Sequence, residues 1–205
     1  MQKITVLISL YLLLLLSPFK LFADEGKPRD IVRHLLDSIS MIKDESVVQL
    51  SPEERQNNKK FIQKANSLID IKSLGPKTLG SHWGKRTANE KETFLSVLTK
   101  LFEKVAYPKS AKFFVDLKVN YDGEKINKEK AIVNTSMEHE SEGLIEIDYK
   151  LHKVKNEWLI LDVILDGVSL AINLKTQFHK VVKKSSFNEL ISKMHKRLES
   201  ADKPL

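Results

Sequence analysis

Two aspartates, Asp148 and Asp162, are the residues of this sequence best placed to do chemistry. Asp162 interrupts an apolar run that is typical of a buried strand, and Asp148 lies on the adjacent candidate strand. A carboxylate held in an apolar cavity can act as a general base. In most such places the carboxylate only accepts hydrogen bonds from the backbone or from a basic side chain such as Lys175. An enzyme that abstracts a proton is therefore an alternative here, and structural roles for both acids are favoured.

The other reactive side chains form no catalytic or metal-binding motif. The six histidines are scattered along the chain, and none has the spacing of paired zinc ligands on a helix. Ser169 lies in the segment 167–171, which lacks the second glycine of a nucleophile elbow and suits a helix cap instead. Because no glycine-rich phosphate loop occurs either, the sequence predicts no catalytic residue, no cofactor and no metal site.

Composition indicates one globular domain with its own core. The chain has 205 residues, of which 41% are hydrophobic and 30% charged. It contains no cysteine, which excludes a disulfide framework and a lipid-modified cysteine anchor. The formal net charge of +7 comes from lysines interspersed with acids and not from a basic tract. We therefore expect no nucleic-acid partner, and we assign the charge to solubility or to attraction for anionic surfaces.

Residues 1–23 have the pattern of a signal peptide. Lys3 precedes the apolar run Ile4–Leu16, and cleavage is expected after Ala23. The run is short for a transmembrane helix, so an uncleaved anchor is the alternative. Residues 24–205 are then expected to form a single exported domain, and the lack of cysteine points to a bacterial periplasm.

Apolar spacing and capping motifs predict helices on both sides of a central block of strands. The expected helices begin near Pro28, Ser51, Thr87, Gly167 and Ser186. The longest of them follows Thr87 and is expected to end at Tyr107-Pro108, because the residue before a proline avoids helical backbone. Glycines and a proline within 71–84 predict only short helical turns there.

Between the helices the apolar residues recur with a period of two. This alternation predicts the strands Leu117–Tyr121, Ala131–Met137 and Leu144–Leu151. The nearly continuous apolar run Trp158–Leu165 predicts a fourth strand, covered on both faces. The first of them is expected to stop at the turn signal Asp122-Gly123. Short polar links favour an antiparallel meander, and helices before and after a sheet indicate an α+β domain.

The predicted elements carry more apolar surface than a thin two-layer domain needs. A long helix, the alternating strands and two tail helices each present an apolar face. A deep pocket lined by these faces would suit a lipid or another long apolar ligand. The alternative is a core filled by the protein's own side chains, and composition is compatible with both.

Short motifs over the last two thirds of the chain form a recognisable pattern. They are Leu79–Trp83, Thr87–Lys91, Ile147–Lys150, Trp158 followed by Asp162-Val163, Asp166–Leu170, Asn173 and Gln177-Phe178. Together they resemble the MlaC family of periplasmic phospholipid-binding proteins, the toluene-tolerance auxiliary components of an ABC lipid transporter. The chain departs from the family at Leu174 and Lys175, where an aromatic residue and an arginine are frequent, and at Leu161, where tyrosine is frequent.

The resemblance implies a carrier without catalytic activity. Such a protein holds the acyl chains of a phospholipid in an apolar pocket between a curved four-stranded sheet and several helices, with the head group at the mouth. It exchanges lipid with an inner-membrane ABC transporter complex and an outer-membrane lipoprotein–porin complex, and so contributes to outer-membrane lipid asymmetry. A ligand-free interaction module that only bridges these complexes is a further alternative.

The side chains expected to contact lipid come from the long helix and from one face of the sheet. They are Phe94, Leu98, Leu101, Phe102 and Tyr107 on the helix, and Val119, Tyr121, Ile147, Tyr149, Leu161 and Val163 on the sheet. The sheet residues are selected by alternation, so an error in the face would remove several of them together. Gly80, Gly84 and Gly167 are the expected sites of backbone movement during lipid release.

Overall fold

The structure is a computed structural model that describes residues 26–45, 47–114, 117–140 and 143–201. The predicted signal peptide, residues 1–23, lies outside these ranges and stays a prediction. Within the described ranges, no helix combines the length and the apolar composition needed to cross a membrane.

Helices precede and follow a block of strands in the chain, in agreement with the α+β prediction. Their bounds are α1 Pro28–Ser40, α2 Pro52–Leu68, α3 Ile71–Leu79, α4 Ala88–Leu101, α5 Tyr107–Phe114, α6 Leu170–Lys184 and α7 Phe187–Ala201. A 3-10 segment, Gly80–Lys85, connects α3 to α4, and a π-helical turn, Phe102–Ala106, connects α4 to α5.

The predicted capping boxes set where several helices begin. At Ser51 and Thr87 the side-chain hydroxyl accepts the backbone N–H three residues on, and the glutamate found there accepts the N–H of the cap residue. The Ser186 hydroxyl accepts the N–H of Glu189 at 3.1 Å. All three predicted helix starts are therefore confirmed.

The predicted end of the long helix at Tyr107-Pro108 is wrong. The Tyr107 N–H reaches back five residues to the Phe102 carbonyl, which makes one wide π-helical turn, and the chain then continues as α5. Pro108 is the second residue of α5, directly after the wide turn, so it lies at this junction and not inside a regular α-helix. The helical path from Ala88 to Phe114 therefore changes phase at the wide turn without stopping.

The strands form one antiparallel meander in the order β1-β2-β3-β4-β5. Their bounds are β1 Asn120–Asn127, β2 Lys130–His139, β3 Gly143–Val154, β4 Glu157–Leu165 and β5 Val168–Ser169. The meander prediction is confirmed, and the described sheet has one short strand more than the four predicted. That strand, β5, pairs with the end of β4 and leads directly into α6.

Strand β1 lies further along the chain than the alternation predicted. It does not stop at Asp122-Gly123; the chain passes this point as a bulge and pairs with β2 up to Asn127. Gly123 faces Asn134, and a Cβ at this glycine would come within 3.2 Å of the Asn134 side-chain oxygen. The glycine therefore makes room for the neighbouring strand and does not mark a turn.

Strands β3 and β4 are joined by a tight hairpin and then offset by a bulge. Lys155 and Asn156 both have positive φ, 50° and 69°, as the type I′ turn between two strands requires. Further along, Leu151 pairs with Ile160 and Lys150 with Asp162, so that Leu161 is an extra residue without a partner. A bulge of this kind bends the strand and reverses which face the following side chains occupy.

The core lies between the sheet and the helices. Helix α1 crosses the sheet and contacts β1, β2 and β4, while α3, α4, α6 and α7 pack on one another. Phe94 is fully buried at the centre of the helices, with ring centroids 5.7 Å from Phe178 and 6.4 Å from both Trp83 and Phe187. The helices thus have a core of their own, and α1 packs directly on the sheet.

Candidate functional site

A cavity of about 620 Å³ lies between the sheet and the helices that cover it. We call it the sheet cavity. Its lining is almost entirely apolar and consists of Leu35, Leu36, Ile39, Ile69, Phe102, Ala106, Tyr107, Lys109, Ser110, Phe113, Phe114, Ile147, Tyr149, Val163, Leu165, Asp166, Val168, Leu170 and Asn173. Both the volume and the apolar character are typical of a pocket for a small organic ligand.

The sheet wall of this cavity comes from two cross-strand pairs on β3 and β4. Ile147 faces Leu165 and Tyr149 faces Val163, which places all four side chains on one face. Tyr149 is only 2% exposed, and burial raises the pKa of its phenol. The phenol therefore stays uncharged at any physiological pH, so this wall carries no charge.

The helical wall is built around the wide turn. Phe102 and Tyr107 stand at its two ends with ring centroids 5.9 Å apart, and Ala106 lies between them. The Tyr107 hydroxyl donates to the side-chain oxygen of Asn66 at 2.9 Å, away from the cavity lining, and burial raises the pKa of this phenol too. The ring of Tyr107 thus faces the cavity while its polar group is satisfied elsewhere.

The exposed lining residues mark the mouth of the sheet cavity. Leu165 and Val168 are 45% and 58% exposed there, beside Lys109, Asp166 and Asn173. The Asp166 carboxylate already accepts the backbone N–H of a neighbouring residue on β3 at 3.0 Å. The mouth therefore combines apolar side chains with one cation, one carboxylate and one amide, a composition that suits a polar head group at the end of an apolar ligand.

The two aspartates that could act as bases do not line the sheet cavity. Asp148 accepts a hydrogen bond from the Asn134 amide at 2.7 Å. Asp162 accepts the Ser169 hydroxyl at 2.6 Å and the Ala171 N–H at 3.0 Å, which ties the end of β4 to the start of α6. The general-base hypothesis therefore loses its geometric basis, while the structural roles predicted for both acids are found.

Ser169 has the capping role that the sequence predicted. Its hydroxyl accepts the Ile172 N–H at 3.1 Å and donates to the Asp162 carboxylate. One hydroxyl thus caps α6 and connects it to the sheet. Among the described residues, the Asp162 carboxylate is the only base that hydrogen-bonds to the Ser169 hydroxyl. Ser169 is therefore held in a structural network.

A second apolar cleft of about 420 Å³ lies among the helices. We call it the helix cleft. It is lined by Leu98, Leu101, Phe102, Val105, Ala106, Leu170, Leu174, Gln177, Phe178, Val181, Leu190, Lys193, Met194 and Arg197. Phe102, Ala106 and Leu170 line the sheet cavity as well, so the two spaces share a wall.

The predicted lipid-contacting residues divide between these two spaces and the protein core. Those lining the sheet cavity are Phe102, Tyr107, Ile147, Tyr149 and Val163. Those lining the helix cleft are Leu98, Leu101 and again Phe102. The rest, which line neither space, are Phe94, Val119, Tyr121 and Leu161.

Local geometry explains why Phe94, Leu161 and Tyr121 line neither the sheet cavity nor the helix cleft. Phe94 lies in the aromatic cluster among the helices, and Leu161 is the unpaired residue of the β4 bulge. Tyr121 lies at the β1 end of the sheet, where the Arg33 guanidinium is 5.4 Å from its ring centroid. Alternation along β4 assigned Leu161 and Val163 to one face, but the bulge places only Val163 against the cavity.

Several lining residues escaped the sequence analysis. Helix α1 supplies Leu35, Leu36 and Ile39, and α5 supplies Phe113 and Phe114. The α1 stripe was visible but was equally typical of ordinary core. The pair Phe113-Phe114 follows Pro108, where the sequence predicts the helix to end, so no predicted element contains it.

Two pairs of side chains that are far apart in sequence, each with at least one histidine, lie close together in the fold. The Nε2 atom of His82 is 2.9 Å from the Nδ1 atom of His179. Burial, together with electrostatic repulsion from the neighbouring His179, Lys85 and Arg86, lowers the pKa of His82. His152 lies 2.9 Å from the Asp70 carboxylate. In the described ranges no three metal-ligating side chains come together, so these pairs connect elements of the fold.

Comparison with known proteins agrees with this architecture. The family model described as MlaC protein matches residues 35–196. The fold is similar to that of a phospholipid-binding protein from Ralstonia solanacearum, solved in complex with a phospholipid, with a TM-score of 0.67, 19% identity, and coverage of 85% of this chain and 96% of that chain. No curated protein matches this chain. At this level of identity the structural likeness concerns the fold.

Proposed function

The chain belongs to the MlaC family, and on that premise we propose that it binds phospholipid with the acyl chains in the sheet cavity. The carrier moves lipid through the periplasm between an outer-membrane lipoprotein–porin complex and an inner-membrane ABC transporter complex, and it catalyses no reaction. Removal of residues 1–23 leaves a single lipid-binding domain, residues 24–205.

The observation that carries this proposal is the hollow interior. A space of about 620 Å³ lies between the sheet and the side chains of α1, α5 and the wide turn, and most of its lining is apolar. A ligand-free interaction module would need no such space, since empty apolar cavities cost stability. The phospholipid bound in the similar Ralstonia solanacearum structure also supports the interpretation of the sheet cavity as a lipid site.

The energetics favour a passive carrier. Moving an acyl chain out of water gains roughly 0.8 kcal/mol per methylene, so apolar walls alone supply high affinity. High affinity also implies slow release, because differences in affinity arise mainly in the dissociation rate. A partner complex must therefore open the mouth, and the exposed Leu165 and Val168 at its edge are available for that contact.

The polar residues of the mouth suit the head group. Lys109 provides a cation for the phosphate, and Asn173 provides an amide. Asp166 lies beside Gly167, and both have positive φ, 45° and 80°, in the turn that ends β4. Because this turn forms part of the mouth, it is the place where we expect opening to begin.

Native mass spectrometry of the full chain, purified without detergent, tests the proposal. We expect the protein to carry a mass adduct that matches phospholipid, with the lipid class identified by extraction. Protein stripped of lipid should reload from vesicles and pass lipid to membranes that hold the ABC transporter complex. A folded protein that carries no lipid and takes none from vesicles would refute the binding proposal. A loaded protein that delivers nothing would refute the shuttle role alone.

A further inference from the structure

We infer that the exposed side of α3, the 3-10 segment and α6 docks onto an anionic bilayer surface, with the mouth of the sheet cavity at its edge. We call this side of the molecule the basic face. The inference goes beyond the proposed function, because it concerns how the protein meets a membrane and not what the sheet cavity holds.

The net charge of the chain is concentrated in these three elements. They contain seven lysines and neither aspartate nor glutamate. Of the 34 lysines and arginines in the chain, the 27 that lie elsewhere equal the 27 acids, so the three elements account for the whole formal charge of +7. The seven are Lys72, Lys77, Lys85, Lys175, Lys180, Lys183 and Lys184.

Packing brings these lysines together, although α6 follows the 3-10 segment only after the whole sheet. Helix α3 contacts both other elements, and the 3-10 segment contacts α6. A Cβ at Gly80 would come within 2.8 Å of the Lys175 side chain, and the Nε2 atom of His82 is 2.9 Å from the Nδ1 atom of His179. Lysines that are dispersed in the sequence therefore lie side by side in the fold.

The lysines of the basic face have no carboxylate partner within the described ranges. All seven are exposed, and none of the ion pairs found there involves one of them. The acids that flank the face in sequence have other partners, since Asp70 lies 2.9 Å from His152 and Glu90 lies 3.1 Å from Arg86. The positive field is therefore not compensated locally, and it attracts an anionic partner.

Exposed apolar side chains adjoin the lysines at the mouth of the sheet cavity. A stripe at helical spacing runs along the exposed side of α6 and consists of Ile172, Lys175, His179 and Lys183. Ile172 is 66% exposed, and it lies between Val168 at the mouth, 58% exposed, and the lysines. One side of α6 thus presents apolar side chains beside the mouth and cations along the rest of its length.

These residue types favour a bilayer over an acidic protein as the partner. Within the three elements every permanent cation is a lysine, a mobile point charge, whereas tight pairing with protein carboxylates favours arginine. Point charges match the diffuse negative potential of anionic lipids. An exposed isoleucine beside them can insert among the lipids at the interface. Docking in this way would hold the mouth against the bilayer, where lipid can enter or leave.

Vesicle flotation of the full chain tests the inference. The probes are vesicles of phosphatidylcholine alone and of equimolar phosphatidylcholine and phosphatidylglycerol, in dilute salt and in about 1 M salt, where the Debye length is about 3 Å. One variant replaces Lys175, Lys180 and Lys183 of α6 by glutamine. Its matched control replaces three exposed lysines of α2, namely Lys59, Lys60 and Lys64, by glutamine and has the same net charge.

A second pair of variants tests the apolar contribution without changing charge. Ile172→Gln alters the basic face, and Ile126→Gln is its control, because Ile126 is 52% exposed on β1 and lies outside the three elements of the face. Circular dichroism checks the fold of every variant, and native mass spectrometry of the same samples reports the lipid cargo.

We expect the wild type to float with the phosphatidylglycerol vesicles in dilute salt only. A lysine near an anionic bilayer contributes about fivefold in binding, so the α6 lysine variant should bind at least about tenfold and up to about 100-fold more weakly. Ile172→Gln should weaken binding by at least about threefold, because an inserted isoleucine leaves water. Both control variants should bind as the wild type does.

Four other results would overturn the inference. Failure of the wild type to float with phosphatidylglycerol vesicles, or binding that persists in about 1 M salt, would exclude an electrostatic membrane contact. Equal losses in the two lysine variants would show that net charge matters and the basic face does not. A loss confined to the α6 lysine variant, with none for Ile172→Gln, would assign the face to an acidic protein. Absence of lipid cargo is different, because it refutes the proposed function and leaves the docking result standing.

Discussion

A single amide placed on the sheet wall should weaken lipid binding while leaving the fold intact. Val163 lines the sheet cavity opposite Tyr149, whereas Ile164, the next residue of β4, faces the other side of the strand opposite Asp148. Both are partly buried β-branched residues. Val163→Asn and Ile164→Asn therefore differ mainly in which face receives the amide.

The size of the effect follows from desolvation. In the empty cavity, water can hydrate the new amide, so the stability of the unloaded protein should change little. When an acyl chain enters, the amide loses this water and the neighbouring apolar wall offers no partner. An unpaired buried amide costs about 1–3 kcal/mol, which corresponds to about 5- to 150-fold weaker lipid binding.

Competition of each variant with the wild type for limiting lipid gives the measurement. Each variant is incubated with an equal amount of wild-type protein and limiting vesicle lipid, and native mass spectrometry reports the loaded fractions. We expect Val163→Asn to lose to the wild type and Ile164→Asn to share the lipid equally, with circular dichroism confirming the fold of each. Equal sharing by Val163→Asn, or an equal loss by Ile164→Asn, would refute the assignment of this wall to the lipid.

Three further predictions concern stability. Asp70→Asn keeps a helix cap but loses the charge beside His152. In the wild type, burial opposes ionisation of Asp70, but hydrogen bonds from the following helix and from His152 outweigh burial and lower the pKa of Asp70. This carboxylate therefore stabilises the fold above its ordinary pKa of 3.8 and loses that effect as the pH falls through its lower folded value. Urea unfolding of Asp70→Asn should show a stability deficit of about 1 kcal/mol at pH 7 that fades in acid. A deficit independent of pH would contradict the pairing of Asp70 with His152. Tyr107→Phe should cost about 1 kcal/mol in thermal unfolding because Asn66 loses its donor, yet lipid uptake should stay unchanged, since a loss of uptake would mean that the hydroxyl serves the ligand. Thr87→Ala should cost about 0.5–2 kcal/mol in urea unfolding through the lost cap, whereas a cost near zero would show that the helix start is held by packing alone.

Local signals in the sequence predicted the fold well where one short motif decides the outcome. The capping boxes at Ser51, Thr87 and Ser186 placed three helix starts, because the cap and the residue that it bonds lie three positions apart. Strands β2 and β3 were predicted for a similar reason, since alternation is readable within one strand, and β4 was predicted from its nearly continuous apolar run. The α+β class followed from the order of these elements.

The candidate site was predicted only in part because two insertions change the phase of its walls. The extra residue in β4 moved Leu161 off the face that alternation assigned to it, and the wide turn carried the helix past Pro108 to Phe113 and Phe114. Neither a bulge nor a π-helical turn has a dependable signature in a single sequence. The contacts between His82 and His179 depend on tertiary packing, which no local pattern encodes.

The wide turn at Phe102–Ala106 also restricts how this chain can tolerate deletions. A regular helix advances about 100° per residue, so removing one residue from the turn would restore α-helical winding and rotate everything after it by that angle. Phe113 and Phe114 would then leave the cavity wall, ten residues from the deletion. Phe102 and Ala106, which line the cavity, can change identity as long as they stay apolar, whereas the length of the segment cannot change. Relatives should therefore keep the spacing from Phe94 to Phe113 even where the residues between them differ.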